Sequence, residues 1–246
     1  MHRHGATHHL IASAAGSYSG LINVIPTPPP VLAAFERLYQ EFVVPGDLVF
    51  DIGASIGENT ALFAKLGARV VAVEPLALCA AALAGDAARG ALLEVEQCAI
   101  GSHAGTLELA VCSRSLDISS ASPEWIGAMT RAGLARGPWD QHIVVPATTL
   151  DALIARHGVP SFVKIDVEGY ELEALMGLSR RVNAISLETH RAMLDKSLRC
   201  LDRLQELGFD EFAVSQGHTA ELSPWRDSRG IVAELAATEW GDLYAR

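Results

Sequence analysis

The sequence predicts an α/β protein built on a doubly wound sheet, and three neighbouring stretches predict it. Leu48 to Ile52 is an apolar run too short for a helix and suited to a parallel strand buried on both faces. Gly53 and Gly57 mark a tight turn in which a ligand can approach the backbone. Val70 to Val73 repeats the strand pattern and ends in Glu74, an acid that can take both hydroxyls of a ribose. Strand, glycine turn, helix, strand and acid together predict a nucleoside-binding site.

The elements follow in order. Residues 1 to 20 read as a loose leader, with His2, His4, His8 and His9 as tail rather than metal ligands. Pro26 to Pro30 stiffens the chain. Val31, Phe35, Leu38, Tyr39 and Phe42 then recur at helical spacing, which predicts an amphipathic helix over 30–43 capping the sheet. Helices are expected over 57–66, closed by Gly67, and over 76–88, with a strand over 92–99 and another over 106–111. Residues 113–140 break the rhythm and carry Trp125, Met129 and Trp139, which predicts a lid-like insertion or a mobile one, with a short helix over 123–132.

A strand at Ile143 to Val145 precedes a helix that Thr149 starts and Gly158 ends. Phe162 to Val167 and Ala184 to Glu188 are expected core strands, with a helix over 170–178 that turns Leu172, Leu175 and Met176 inward. Leu194, Leu198, Leu201, Leu204 and Leu207 stripe a long helix stopped by Gly208. Phe212 to Ser215 and Ile231 to Leu235 are expected as a closing antiparallel pair. The division is a leader at 1–29 and one domain at 30–246, and 246 residues give it ample core.

Composition narrows the function. The net charge is −10 with no Lys/Arg cluster, which argues against a nucleic-acid partner, because phosphate contacts need a basic footprint. No apolar run is long enough for a membrane span. No charged segment followed by an apolar one opens the chain, so a secretory signal is not expected and the cytoplasm is the expected location. Cys79, Cys98, Cys112 and Cys200 lack metal-site spacing and read as reduced core thiols. The leader and the helix at 30–43 are candidates for a homodimer contact.

The first turn also selects its ligand. Its pattern is Asp-x-Gly-x-x-x-Gly, with acids Asp51 and Glu58 at its ends. Those acids repel a pyrophosphate and suit a cation. S-adenosylmethionine has a sulfonium, an ammonium and a ribose, and no phosphate. The alternative is a flavodoxin-like or dehydrogenase-like sheet with an accidental acid.

A second constellation lies at Lys164-Ile165-Asp166-Val167-Glu168-Gly169. Strand alternation puts Lys164, Asp166 and Glu168 on one side, and likewise Glu188 and His190 at the end of the next strand. Neighbouring strands would bring Asp166, Glu168, Glu188 and His190 to one mouth. His190 or a carboxylate would serve as general base, or the carboxylates and histidine would hold Mg²⁺ or Mn²⁺. The structural alternative is that Lys164 pairs with an acid and His190 caps the following helix. His157 reads as a helix-end charge, and His103 and His142 have no comparable context.

These residues are similar to the FkbM family of class I S-adenosylmethionine-dependent methyltransferases. The matching stretches are Phe50 to Thr60, Val73-Glu74-Pro75, Cys98 to Gly101, Thr149 to Asp151, Lys164 to Glu171 and Leu187 to His190, across about residues 31 to 215. Ser119-Ser120 resembles a serine-rich element of that family, and Ser55 stands where its members often have Asn. The resemblance implies a Rossmann-like seven-stranded sheet, mostly parallel with one antiparallel strand. It implies methyl transfer to a hydroxyl of a sugar, glycan or natural-product small molecule. It implies that Asp51, Gly53 and Gly57 line the methionine part, with Ala54, Ser55, Glu58, Asn59 and Pro75 in the same motifs. Glu74 would hold the ribose, Ala99 and Ile100 would flank adenine, and Asp166 would lie near the methyl group. Competing functions are aminopropyl transfer on the same fold and a non-catalytic binding module.

Overall fold

The computed structural model describes residues 27–87, 92–217 and 219–246. Residues 1–26 of the leader, with its four histidines, lie outside the described residues. The chain runs through α1 (Pro29–Tyr39), β1 (Leu48–Ile52), α2 (Glu58–Lys65), β2 (Arg69–Val73), α3 (Ala77–Ala87), β3 (Leu93–Glu96), β4 (Ala99–Ile100) and β5 (Gly105–Val111). It continues through α4 (Pro123–Ala132), β6 (Gln141–Thr148), α5 (Leu150–His157), β7 (Phe162–Ile165), α6 (Glu171–Met176) and β8 (Ala184–His190). It closes with α7 (Leu194–Glu206), β9 (Phe212–Gln216), α8 (Ser228–Ala237) and β10 (Trp240–Ala245).

Seven strands form the central sheet in the order β3-β2-β1-β7-β8-β10-β9. β10 runs antiparallel to both its neighbours, and the other pairs are parallel. β1 is buried along its whole length because helices cover both faces of the sheet. On one face Leu38, Tyr39 and Phe63 of α1 and α2 pack on Val49, Phe162 and Tyr244. On the other, α5 to α8 bring Leu153, Leu175, Leu204 and Ile231 against Phe50, Ile165 and Leu187. A second sheet, β4-β6-β5, stands beside the strand ends.

Several boundaries differ from the sequence reading. The stretch 92–99 is two strands in different sheets, because Cys98 N–H bonds back to the Glu96 carbonyl and turns the chain. β6 reaches from Gln141 to Thr148, well beyond 143–145, since it pairs along all of β5. α1 stops at Tyr39, where residues 40–42 turn toward β1. Met176 ends α6 with its side chain exposed rather than inward.

The largest correction is at 231–235, which is helical. The Asp227 side chain accepts the Gly230 N–H at 2.7 Å and caps α8, so Ile231 and Leu235 face the core one turn apart. The antiparallel partner of β9 is β10 instead. All four cysteines are free and buried, as expected. Among the described residues no helix is long and apolar enough to cross a membrane.

Candidate active site

Two turns at the C-terminal ends of β1 and β7 build the site. Gly53 sits at φ +81°, and a Cβ there would lie 1.8 Å from the Asp166 carbonyl oxygen. Only glycine therefore lets the two turns touch. Ser55 is also left-handed, at φ +50°, which aims its N–H at Glu74 Oε2 at 2.9 Å. The Leu76 N–H reaches Glu74 Oε1 at 2.8 Å. Glu74 is thus anchored by both oxygens, and burial raises its pKa to about 7. Gly57 closes the turn at φ +91°, packed on Leu83.

The other residues of this motif divide by level. Asp51 lies beneath the turn, where it accepts the Thr60 hydroxyl and burial lifts its pKa to about 6. Ala54 packs with Ala72 and Leu83. Glu58 accepts the Thr27 N–H and Asn59 accepts the Tyr39 hydroxyl, both at 2.9 Å. Above the turn lies a cavity, open to solvent and about 620 Å³ with its mouth, whose walls include Ser55, Glu74, Pro75, Ala99, Ile100 and Tyr170. Asp117, Asp166 and Glu168 also face it, and among the described residues no lysine or arginine does. Ser55 Oγ is buried with no hydrogen-bond partner among the described residues. This lining has nothing to neutralise a phosphate and several groups for a cation and hydroxyls.

At the second turn β7 ends at Ile165, earlier than Val167. Asp166 N–H still bonds Ile52 O at 2.9 Å, and beyond it Glu168 (φ +53°) and Gly169 (φ +85°) curl the chain back. Glu168 therefore reaches the mouth through a left-handed turn, not through strand alternation. β7 and β8 are parallel neighbours, so one oxygen each of Asp166, Glu168 and Glu188 lies within 4.8 Å of the others. Burial and then repulsion from neighbouring carboxylates raise the pKa values of Glu168 and Glu188 well above the ordinary carboxylate value. Three carboxylates so placed could hold a divalent cation, though acidic groups also commonly cluster without one.

Lys164 is buried beside the cluster, 2.8 Å from Asp166 and 3.6 Å from Asp242. Burial alone would discharge it, but those two acids outweigh burial and hold it charged. His190 lines the same cleft but stays out of the cluster. Its Nδ1 accepts the Ala192 N–H at 3.1 Å, capping the turn after β8. The neutral ring then carries its proton on Nε2, and burial lowers its pKa. His157 does lie at a helix end, with Glu96 2.8 Å from Nε2 and Glu94 3.3 Å from Nδ1.

The cluster floors a cleft of about 1940 Å³ that opens to solvent. Residues 113–140 contribute to one wall, with 131–136 exposed. Trp125 and Met129 are buried with Cys112 and Met193, and Trp125 meets Trp139 edge-on at 5.8 Å. The Asp140 carboxylate takes both the N–H and the hydroxyl of Ser113, joining the segment's two ends. An Arg136–Asp117 ion pair crosses from this wall to the smaller cavity.

The opposite wall includes Trp240, which the sequence reading did not single out, nor Asp242 behind it. Both ride on β10, whose pairing had been given to residues 231–235. An acid directly before the short apolar run Leu243, Tyr244, Ala245 was the available signal.

A family model described as the methyltransferase FkbM domain matches residues 51–211, more than half of the chain. No curated protein matches. Among solved structures, precorrin-6y C5,15-methyltransferase from Geobacter metallireducens is similar at 10% identity over 90% of this chain and 89% of that one, with a TM-score of 0.46. Ribosomal protein L11 methylase from Lactobacillus delbrueckii subsp. bulgaricus is similar at 12% identity over 91% and 81%, with a TM-score of 0.48. Fibrillarin from Aeropyrum pernix, solved with natively bound S-adenosyl-L-methionine, is similar at 12% identity over 87% and 74%, with a TM-score of 0.46.

Proposed function

The chain belongs to the FkbM methyltransferase family, and from that premise we propose that it is an S-adenosylmethionine-dependent O-methyltransferase acting on a hydroxyl of a sugar, glycan or natural-product small molecule. The observation that carries the reading is the 620 Å³ cavity that combines Glu74, an unpartnered Ser55 hydroxyl and acids without any lysine or arginine among its described lining residues. Such a lining suits a cation with a ribose and disfavours a dinucleotide. Glu74 would hold the ribose hydroxyls, Ala99 and Ile100 would flank the adenine, and Ser55 with the backbone from Gly53 would face the methionine part. When bound, S-adenosylmethionine supplies an electrophilic methyl group.

The chain's own residues would orient the acceptor and take its proton. Trp139 and Trp240 flank the acceptor cleft and suit the apolar face of a ring. Glu188, in the carboxylate cluster at the floor, would accept the hydroxyl proton. It is favoured over His190, whose free lone pair is spent on Ala192. Lys164 holds Asp166 beside it as a counter-charge.

Calorimetric titration with S-adenosylhomocysteine, with NADH as control, tests the cofactor. One-to-one binding of the first alone is expected, and binding of NADH alone would overturn the reading. An acceptor screen with and without Mg²⁺ then separates a base from a metal role for the carboxylates. Glu188→Gln should lower kcat about 10²- to 10⁴-fold with little change in KM.

A further inference from the structure

We propose that Ser120 is a positioning residue whose hydroxyl holds the 168–169 peptide so that the Glu168 carboxylate stays in the site. The inference rests on the transferase reading above for its kinetic arm and on geometry alone for its structural arm. Glu168 is a non-glycine residue at φ +53°, a conformation that persists only where the surroundings impose it. What imposes it can be named. The 168–169 peptide is gripped at both ends: its N–H donates to Glu171 Oε1 at 3.1 Å, and its carbonyl accepts from Ser120 Oγ at 2.6 Å.

Ser120 is well placed to do this. Its backbone exchanges both hydrogen bonds with Ala110 of β5, each at 2.9 Å, so the second sheet anchors it. Its Oγ accepts the Ser122 N–H at 2.9 Å, which leaves its single hydroxyl hydrogen for the Glu168 carbonyl. The next carbonyl, that of Gly169, is held at 2.6 Å by the buried Lys196, whose amine also pairs with Glu173. Trp125 closes over Gly169, where a Cβ would come within 2.3 Å of the Trp125 Cβ. Two distant segments, 120–125 and the helix that carries Lys196, therefore converge on one turn, and Ser120 alone among the described residues bonds the Glu168 carbonyl. The second sheet, which gives no carboxylate to the floor cluster, would act on the chemistry through this hydroxyl.

Crystal structures and kinetics of Ser120→Ala, Glu168→Gln and the double variant test this. In Ser120→Ala the Glu168 φ should leave the left-handed region and its carboxylate should leave Asp166 and Glu188. On an acceptor found by screening, kcat should fall about 100-fold with KM little changed, as expected for a group misplaced by about 1 Å. The double variant should be no slower than Glu168→Gln, because Ser120 acts through Glu168. An unmoved Glu168 in the Ser120→Ala crystal overturns the proposal, and so do multiplying rate losses. If Ser120→Ala does not fold, Ser120→Cys keeps the volume, weakens the donor and takes the same tests with the same two outcomes. A failure of the transferase reading shows separately, as wild-type protein that neither binds S-adenosylhomocysteine nor turns over, and the crystal structures then decide alone.

Discussion

The turn after β1 and the turn after β7 both use left-handed backbone and differ in how they are held. Ser55 lies at φ +50°, two residues after left-handed Gly53, and Glu168 lies at φ +53°, directly before left-handed Gly169. The first is fixed by near neighbours: Ser55 bonds Glu74, 19 positions on, and Glu74 bonds Leu76, two further. The second has a local hold from Glu171 but is also fixed by Ser120, 48 positions back, and Lys196, 27 positions on from Gly169. The first turn presents N–H groups to an anchored acid, and the second presents a carboxylate to a cleft. On the proposed reading, the locally held turn is a cofactor site that one stretch of sequence can encode, whereas the turn held from afar would let the acceptor half vary with the segments that hold it.

The contrast can be broken at Gly53, where the two turns meet. Gly53→Ala puts a Cβ into the Asp166 carbonyl and should cost more than about 4 kcal/mol, or prevent folding, in urea unfolding. Gly46→Ala, at φ +93° but in open space, should cost only about 1–2 kcal/mol, so the difference measures the contact between the turns.

Glu74→Gln probes the first turn alone. It should weaken S-adenosylhomocysteine binding about tenfold or more, from one lost charge-assisted hydrogen bond. Because burial raises Glu74 to about 7, its carboxylate becomes the better acceptor only as pH rises through 7. Wild-type affinity should therefore increase from pH 6 to 8, and that slope should vanish in Glu74→Gln. Stability has the opposite sign. A folded pKa above the unfolded value means the group favours folding most below about pH 4.5 and less as pH rises to about 7, so the variant should flatten that fall in Tm.

The smallest effect is expected at the second turn's neighbour. His190→Ala should cost about 1 kcal/mol for its lost cap and leave the basic and acidic limbs of the rate profile in place. A rate loss of 100-fold or more would move the base from the carboxylate floor to the end of β8.

What the sequence revealed follows the same division. Leu48 to Ile52, the glycines at 53 and 57, and Glu74 were legible because their order is local and their backbone demands are strict. Asp166, Glu188 and Lys164 were legible as charges in apolar strands. Ser120, Trp240 and Asp242 were not given roles, because each reaches the site through a pairing between distant segments. The misplaced strand at 231–235 shows the limit: Ile231, Val232 and Leu235 fit either period, and the Asp227 cap decided it.

The place of β10 bears on the order of assembly. Among the described residues of the sheet β9 pairs only with β10, which lies between β9 and β8. The pairings of β10 join residues 25 to 60 positions apart, whereas β1 pairs with β7 113 positions on, and pairings of greater separation form more slowly. Trp240 and Asp242 arrive with β10, so in refolding their wall of the cleft should form before the slower phase that seats β7 on β1 and brings Asp166 against Gly53.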